Sequence, residues 1–104
     1  MKMIEKFSQV SERLEQLTEE MIHLQRELVS RVAVGPDNDG PGEGEKAAFL
    51  ENLLTGWGLK VENYPAPDPR VAGGGRPNLV AWLPGQRPDK VWVLSHLDVV
   101  PPGD

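Results

Sequence analysis

Cysteine is absent from these 104 residues, and histidine occurs only twice. The lack of cysteine excludes disulfides, thiolate-held zinc and cysteine nucleophiles together, and it suits a reducing compartment. Long apolar runs are missing too: nothing approaches the roughly 20 residues that span a bilayer. The opening stretch, Met1-Lys2-Met3-Ile4-Glu5-Lys6-Phe7, meets charge too early to hold the apolar core of a secretory signal. Basic residues are the minority, 11 Lys and Arg against 16 Asp and Glu for a net charge of -5, which argues against nucleic acid or an anionic membrane as partner. A soluble cytoplasmic protein of single-domain size is the expectation.

Glycine and proline are plentiful, 11 and 10 residues, and most follow Val34. They concentrate in Gly35 to Gly44 and Pro65 to Pro77, two segments bounded by patterned elements and therefore read as loops of an ordered domain. Ahead of them, from Ile4 to about Val32, the pattern is helical. Phe7, Val10, Leu14, Leu17, Met21, Leu24 and Leu28 alternate spacings of three and four, with Glu, Gln, Arg and Lys between them. That seam suits a coiled coil. Ile22 and Val29 widen the stripe, which favours packing on a globular core with Phe7 and Met21 as ordinary core residues. His23 lies off the stripe and is expected in solvent.

A second helix is predicted from about Glu43 to Trp57, with Ala47, Ala48, Leu50, Leu53, Leu54 and Trp57 in period. Glu43 and Glu45 complement its N-terminus, and Gly56 and Gly58 stop it. The lead-in Gly40-Pro41-Gly42-Glu43-Gly44-Glu45-Lys46 invites a phosphate-loop reading that fails on detail. No Ser or Thr follows Lys46, and two carboxylates would face the phosphate.

Three strands are then expected: Leu59 to Tyr64, Asn78 to Leu83, and Lys90 to Leu97. The last two should pair antiparallel across a Pro84-Gly85 turn, and Gly73-Gly74-Gly75 reads as a flexible connection. Val91 to Leu94 is apolar without alternation, as in a strand covered on both faces. Two helices followed by three strands, with more apolar surface than they can bury on each other, point to part of a layered α/β domain whose remainder is missing.

The residues with most chemistry follow that last strand: His96-Leu97-Asp98. Residues two apart on a strand share a face, so imidazole and carboxylate should project side by side. A structural His and Asp satisfying loop backbone is the plain reading, but ligands collect at strand C-termini in open α/β sheets. A triad with Ser95 is disfavoured, because adjacent strand residues point to opposite faces. A metallo-β-lactamase-like cluster needs further histidines nearby, and positions 94 and 99 are Leu and Val. A histidine metal ligand oriented by a neighbouring carboxylate remains.

Val91-Trp92-Val93-Leu94-Ser95-His96-Leu97-Asp98-Val99-Val100-Pro101-Pro102-Gly103-Asp104 resembles the first metal-ligand motif of the M20 metallopeptidase family. That family includes acetylornithine and succinyl-diaminopimelate deacylases, aminoacylases, glutamate-releasing carboxypeptidases and dipeptidases. Leu28-Val29-Ser30, Gly42-Glu43-Gly44-Glu45, Leu53 to Val61 and Pro77-Asn78-Leu79-Val80-Ala81 follow the family's order. The loop from Arg31 to Gly40 is longer than the family's short Pro-Ser-x-Asn-Pro stretch. The resemblance implies the N-terminal portion, residues 1–104, of a zinc-exopeptidase-like catalytic domain.

It further implies that His96 binds one ion of a pair of divalent metals, Zn²⁺ or Co²⁺. Asp98, the catalytic-site partner, would hold the imidazole tautomer without coordinating. The implied substrates are small peptides or N-acyl amino acids, with homodimers formed through a lid domain absent here. The family's bridging aspartate, glutamate base and remaining ligands match nothing in these residues, so the chain alone should be inactive. Two alternatives stay open: a non-enzymatic helical interaction module, and another di-zinc aminopeptidase family with a His-x-Asp motif.

Overall fold

A computed structural model describes residues 2–103. The chain divides between Arg31 and Val32 into two compact units, each described by itself.

The first unit is helical, with α1 at Met3–Gln16 and α2 at Thr18–Val29. Glu5 accepts a hydrogen bond from the Lys2 backbone N–H at 3.1 Å, closing the start of α1. The single helix expected from Ile4 to Val32 is therefore interrupted once, at Leu17, whose φ of −91° and ψ of 2° leave the helical ladder. Thr18 Oγ1 donates to the Glu15 carbonyl at 2.8 Å, a local side-chain bond that competes with helix backbone at such a break. Phe7 and Met21, expected in a core, are 70% and 46% exposed. The charged faces of these helices behave as read; their apolar stripe is not buried.

The second unit is a small mixed α/β arrangement. After a 3₁₀ turn at Pro36–Asn38 come α3 (Gly44–Gly56), β1 (Lys60–Asn63), β2 (Ala66–Pro67), β3 (Gly75–Arg76) and β4 (Leu79–Trp82). The end of α3 is a Schellman motif: Leu59 N–H bonds to the Leu54 carbonyl at 3.1 Å and Gly58 N–H to Thr55 at 2.9 Å. Gly58 adopts the left-handed φ of 85° that this ending needs. α3 packs against β1 and β4.

β1 and β4 pair antiparallel, with Lys60 opposite Trp82 and Asn63 opposite Leu79. Asn78 continues the ladder with three bonds: its N–H to the Asn63 side chain, its side-chain amide to the Tyr64 carbonyl, and its carbonyl to Tyr64 N–H. β2 and β3 make a second, shorter antiparallel pair. Gly75 thus belongs to a strand and not to the flexible connection expected of Gly73 to Gly75.

The strand expected from Lys90 to Leu97 does not form, and so does not pair with β4. Residues 90–98 are irregular, with Val91 91% and Leu94 89% exposed. An apolar, non-alternating run is stable as a strand when neighbours pair with it and layers cover both faces; among the described residues neither is supplied. Trp92 makes one edge-on contact with Trp82, ring centroids 6.2 Å apart. One isolated bridge follows at Val99, which pairs with Val34 in parallel and donates its N–H to the Ala33 carbonyl at 2.9 Å.

The apolar core is correspondingly small: Ala33 and Ala47 are the buried hydrophobic residues among those described. Three charged residues, Glu43, Lys46 and Asp68, are buried as well, and each has a charged or backbone partner.

Candidate functional site

His96 and Asp98 lie on the irregular segment that the Ala33–Val99 bond pins to the second unit. The His96 Nδ1 is 2.8 Å from the backbone oxygen of Asp98. A carbonyl only accepts, so Nδ1 is the donor in this contact, which in the neutral ring leaves the lone pair on Nε2. The Asp98 carboxylate is farther from Nδ1, at 3.4 Å. The nearer acceptor that sets the tautomer is thus the main chain of Asp98 rather than its side chain. The His96 side chain is 83% exposed.

Behind this pair stands a chain of charge. Arg76 of β3 reaches Asp98 with Nη2 at 3.7 Å. The same Nη2, together with Nε, forms a two-point contact with the buried Glu43: Nε to Oε1 at 3.1 Å and Nη2 to Oε2 at 3.2 Å. The Glu43 carboxylate beside it holds the Arg76 proton more tightly than usual. Lys46, in the first turn of α3, donates from Nζ to the Leu97 carbonyl at 3.1 Å. Glu43, the residue before α3, and Lys46 in its first turn therefore secure the His96–Asp98 segment twice, through Arg76 and through the Leu97 backbone. Lys46 serves this backbone contact and no phosphate loop.

The pair opens onto a concavity of about 360 Å³ shared with Gly35, Asp37, Asn38 and Arg76, a volume in the range of small-molecule sites. At its rim Arg70 joins Asp37, at 2.6 Å, to the buried Asp68, at 2.9 Å. The Arg70 guanidinium and backbone N–H hold the Asp68 carboxyl down to about 2.

Because that value is below the unfolded-state value, the folded state binds fewer protons, and the contribution to stability is complete above about pH 4. It is lost as pH falls towards 2. Asp68→Asn is expected to flatten this part of the acid unfolding profile, its melting temperature declining less between pH 4.5 and 2 than the parent's. Scanning calorimetry across that range provides the check; parallel declines would show that Asp68 does not carry the dependence.

These residues do not by themselves compose a metal site. Among the described residues no group of three or more His, Asp or Glu lies together, whereas a catalytic zinc takes about three protein ligands plus water. One imidazole is what they offer. Glu43, Lys46, Arg70 and Arg76 escape the sequence reading as parts of this site. Two acids and a lysine at a helix start look like ordinary terminus charges, and Arg76 sits in a Gly-Pro-rich stretch with no period.

The chain is 34% identical over 93 residues to an uncharacterized metallohydrolase of Methanocaldococcus jannaschii, a match covering 85% of this chain and 23% of that protein. It is 30% identical over 98 residues to an uncharacterized metallohydrolase of Methanococcus maripaludis, covering 88% and 23% respectively. It thus spans about a quarter of the length of these curated relatives. No family model matches the chain. No solved structure matches it either. The similarity is to part of a metallohydrolase.

Proposed function

We propose that these residues contribute His96 as one metal ligand, with Asp98 as its support, to a two-metal amide hydrolase of the M20 type acting on small peptides or N-acyl amino acids. The observation that carries this reading is the His96 imidazole, its Nδ1 held by the Asp98 main chain and its ring lining a concavity. The similarity to metallohydrolases supports it from a second direction. The other ligands and the groups that act on the amide belong to residues outside these, since the described set supplies one ligand alone. Arg76, Glu43 and Lys46 have a positioning role: they fix the backbone and the carboxylate on which the imidazole rests.

The test is a hybrid in which this chain replaces the matching stretch of the Methanocaldococcus relative. Loaded with Zn²⁺ or Co²⁺ and given N-acyl amino acids and dipeptides, the hybrid is expected to hydrolyse them and to stop on chelation. The 104-residue chain alone should show no metal-dependent turnover. Robust turnover by the isolated chain would refute the need for outside ligands, and a hybrid that binds no metal would refute the assignment of His96.

A further inference from the structure

The apolar stripe of α1 and α2 is the largest ordered feature of the first unit that nothing described so far uses. Phe7, Val10, Leu14 and Met21 are exposed on it. Its spacing is a strict heptad: Phe7, Leu14, Met21 and Leu28 occupy one seam position and Met3, Val10, Leu17 and Leu24 the other. The residues flanking the first of these seam positions are Lys6, Arg13, Glu20 and Glu27, basic in the first half and acidic in the second.

We propose that two copies of this chain associate through this stripe as an antiparallel helical pair. The charges select the occupant and its direction. Running the copies antiparallel with Leu14 of one against Leu17 of the other places Phe7 against Leu24 and Val10 against Met21. In that single register Lys6 of one copy faces Glu27 of the other, and Arg13 faces Glu20, each pair occurring twice by symmetry. Flanking residues of this kind set coiled-coil partner and orientation.

A parallel arrangement sets the same four residues opposite Ser11, Thr18, Gln25 and Val32 and forms no ion pair. It also puts the β-branched Val10 at the position where parallel two-stranded coils favour leucine.

The interruption at Leu17 is compatible with this pairing. Its φ of −91° and ψ of 2° lie next to the helical region. Hydrogen bonds from Leu17 N–H to Leu14 and from Met21 N–H to Leu17 continue on either side, at 3.1 and 2.9 Å. The break falls near the centre of the overlap, where both copies bend at the same place. Glu27 already accepts from Arg31 at 2.8 Å, and a carboxylate has lone pairs for a second cation. The inference stands on this seam and its charges and is independent of the hydrolase reading.

Sedimentation equilibrium of the full chain is expected to show a dimer at tens of micromolar and above. Lys6→Glu with Arg13→Glu makes the flank uniformly acidic and should weaken association on the order of 100-fold. Glu20→Lys with Glu27→Lys makes it uniformly basic, with the same effect. Mixing the two variants should restore a 1:1 heterodimer, which shows that both remain folded.

Direction is read separately, because the chain has no native cysteine. Met3→Cys and Leu28→Cys variants, mixed and oxidised, should give the mixed disulfide. A monomer at all concentrations, charge variants that still dimerise alone, or disulfides within each single variant would overturn the proposal.

Discussion

His96→Ala in the hybrid enzyme is expected to remove metal-dependent amide hydrolysis, a loss of about 1,000-fold or more. Asp98→Ala should cost less, about 10–100-fold in metal affinity or activity, the usual range for a residue that orients a ligand without binding. The order follows from geometry. Removing the imidazole removes Nε2, whereas truncating Asp98 spares its backbone oxygen, the nearer acceptor for Nδ1 at 2.8 Å. The side chain at 3.4 Å adds charge and a second hold. Metal stoichiometry by elemental analysis separates the cases: the histidine variant should lose one ion, and the aspartate variant should retain it at raised metal concentration. Equal losses from both substitutions would show that the carboxylate, and not the main chain, sets the imidazole.

How far the sequence foretold this arrangement depends on how far apart the interacting residues lie. α3 was legible almost to the residue, because its period and its terminal glycine both act locally; Gly58 is required by the bonds it makes with the preceding turn. β1 and β4 were legible as strands but not as partners. A Pro84-Gly85 turn advertises a hairpin with the residues after it, whereas Asn63, Tyr64 and Asn78 lock β4 onto β1 from the other side. The run from Val91 to Leu94 was read as a covered strand because its composition is right. Composition does not supply the layers such a strand needs.

At the site the same division holds. His96 and Asp98 stand two residues apart and form a recognisable motif. Their backing joins residues 33 and 51 positions apart, Glu43 with Arg76 and Lys46 with Leu97. No local pattern marks such pairs, and a buried Glu43 is indistinguishable in sequence from the exposed acid beside it. Buried charges are retained where they are paired, so their function here is visible once the fold brings the partners together.

Gly40→Ala is expected to destabilise the second unit by about 2–3 kcal/mol, a large share of what a small domain possesses. A Cβ at this position would lie 2.1 Å from the Val34 carbonyl oxygen and 2.6 Å from the Val34 Cβ. The obstacle is backbone that cannot swing aside. Val34 accepts from Gly42 N–H at 2.9 Å, and Gly40 N–H bonds to Gly35 at 3.1 Å, so the loop is closed from both ends. Relieving the clash breaks at least one of these bonds and leaves polar backbone short of a partner, which adds to the steric cost.

With Ala33 and Ala47 as its buried hydrophobic residues, this unit has little apolar burial to offset such a loss. Gly35→Ala is the matched control: the nearest atom to its new Cβ would be Arg76 Nη2 at 3.5 Å, an ordinary contact. Urea unfolding followed by circular dichroism should move strongly for the first substitution and within about 0.5 kcal/mol for the second. Equal midpoints would show that the Val34–Gly42 closure does not hold the loop. Because Val34 bridges to Val99, the displacement should also reach the segment bearing His96, and its imidazole resonances are expected to shift in Gly40→Ala.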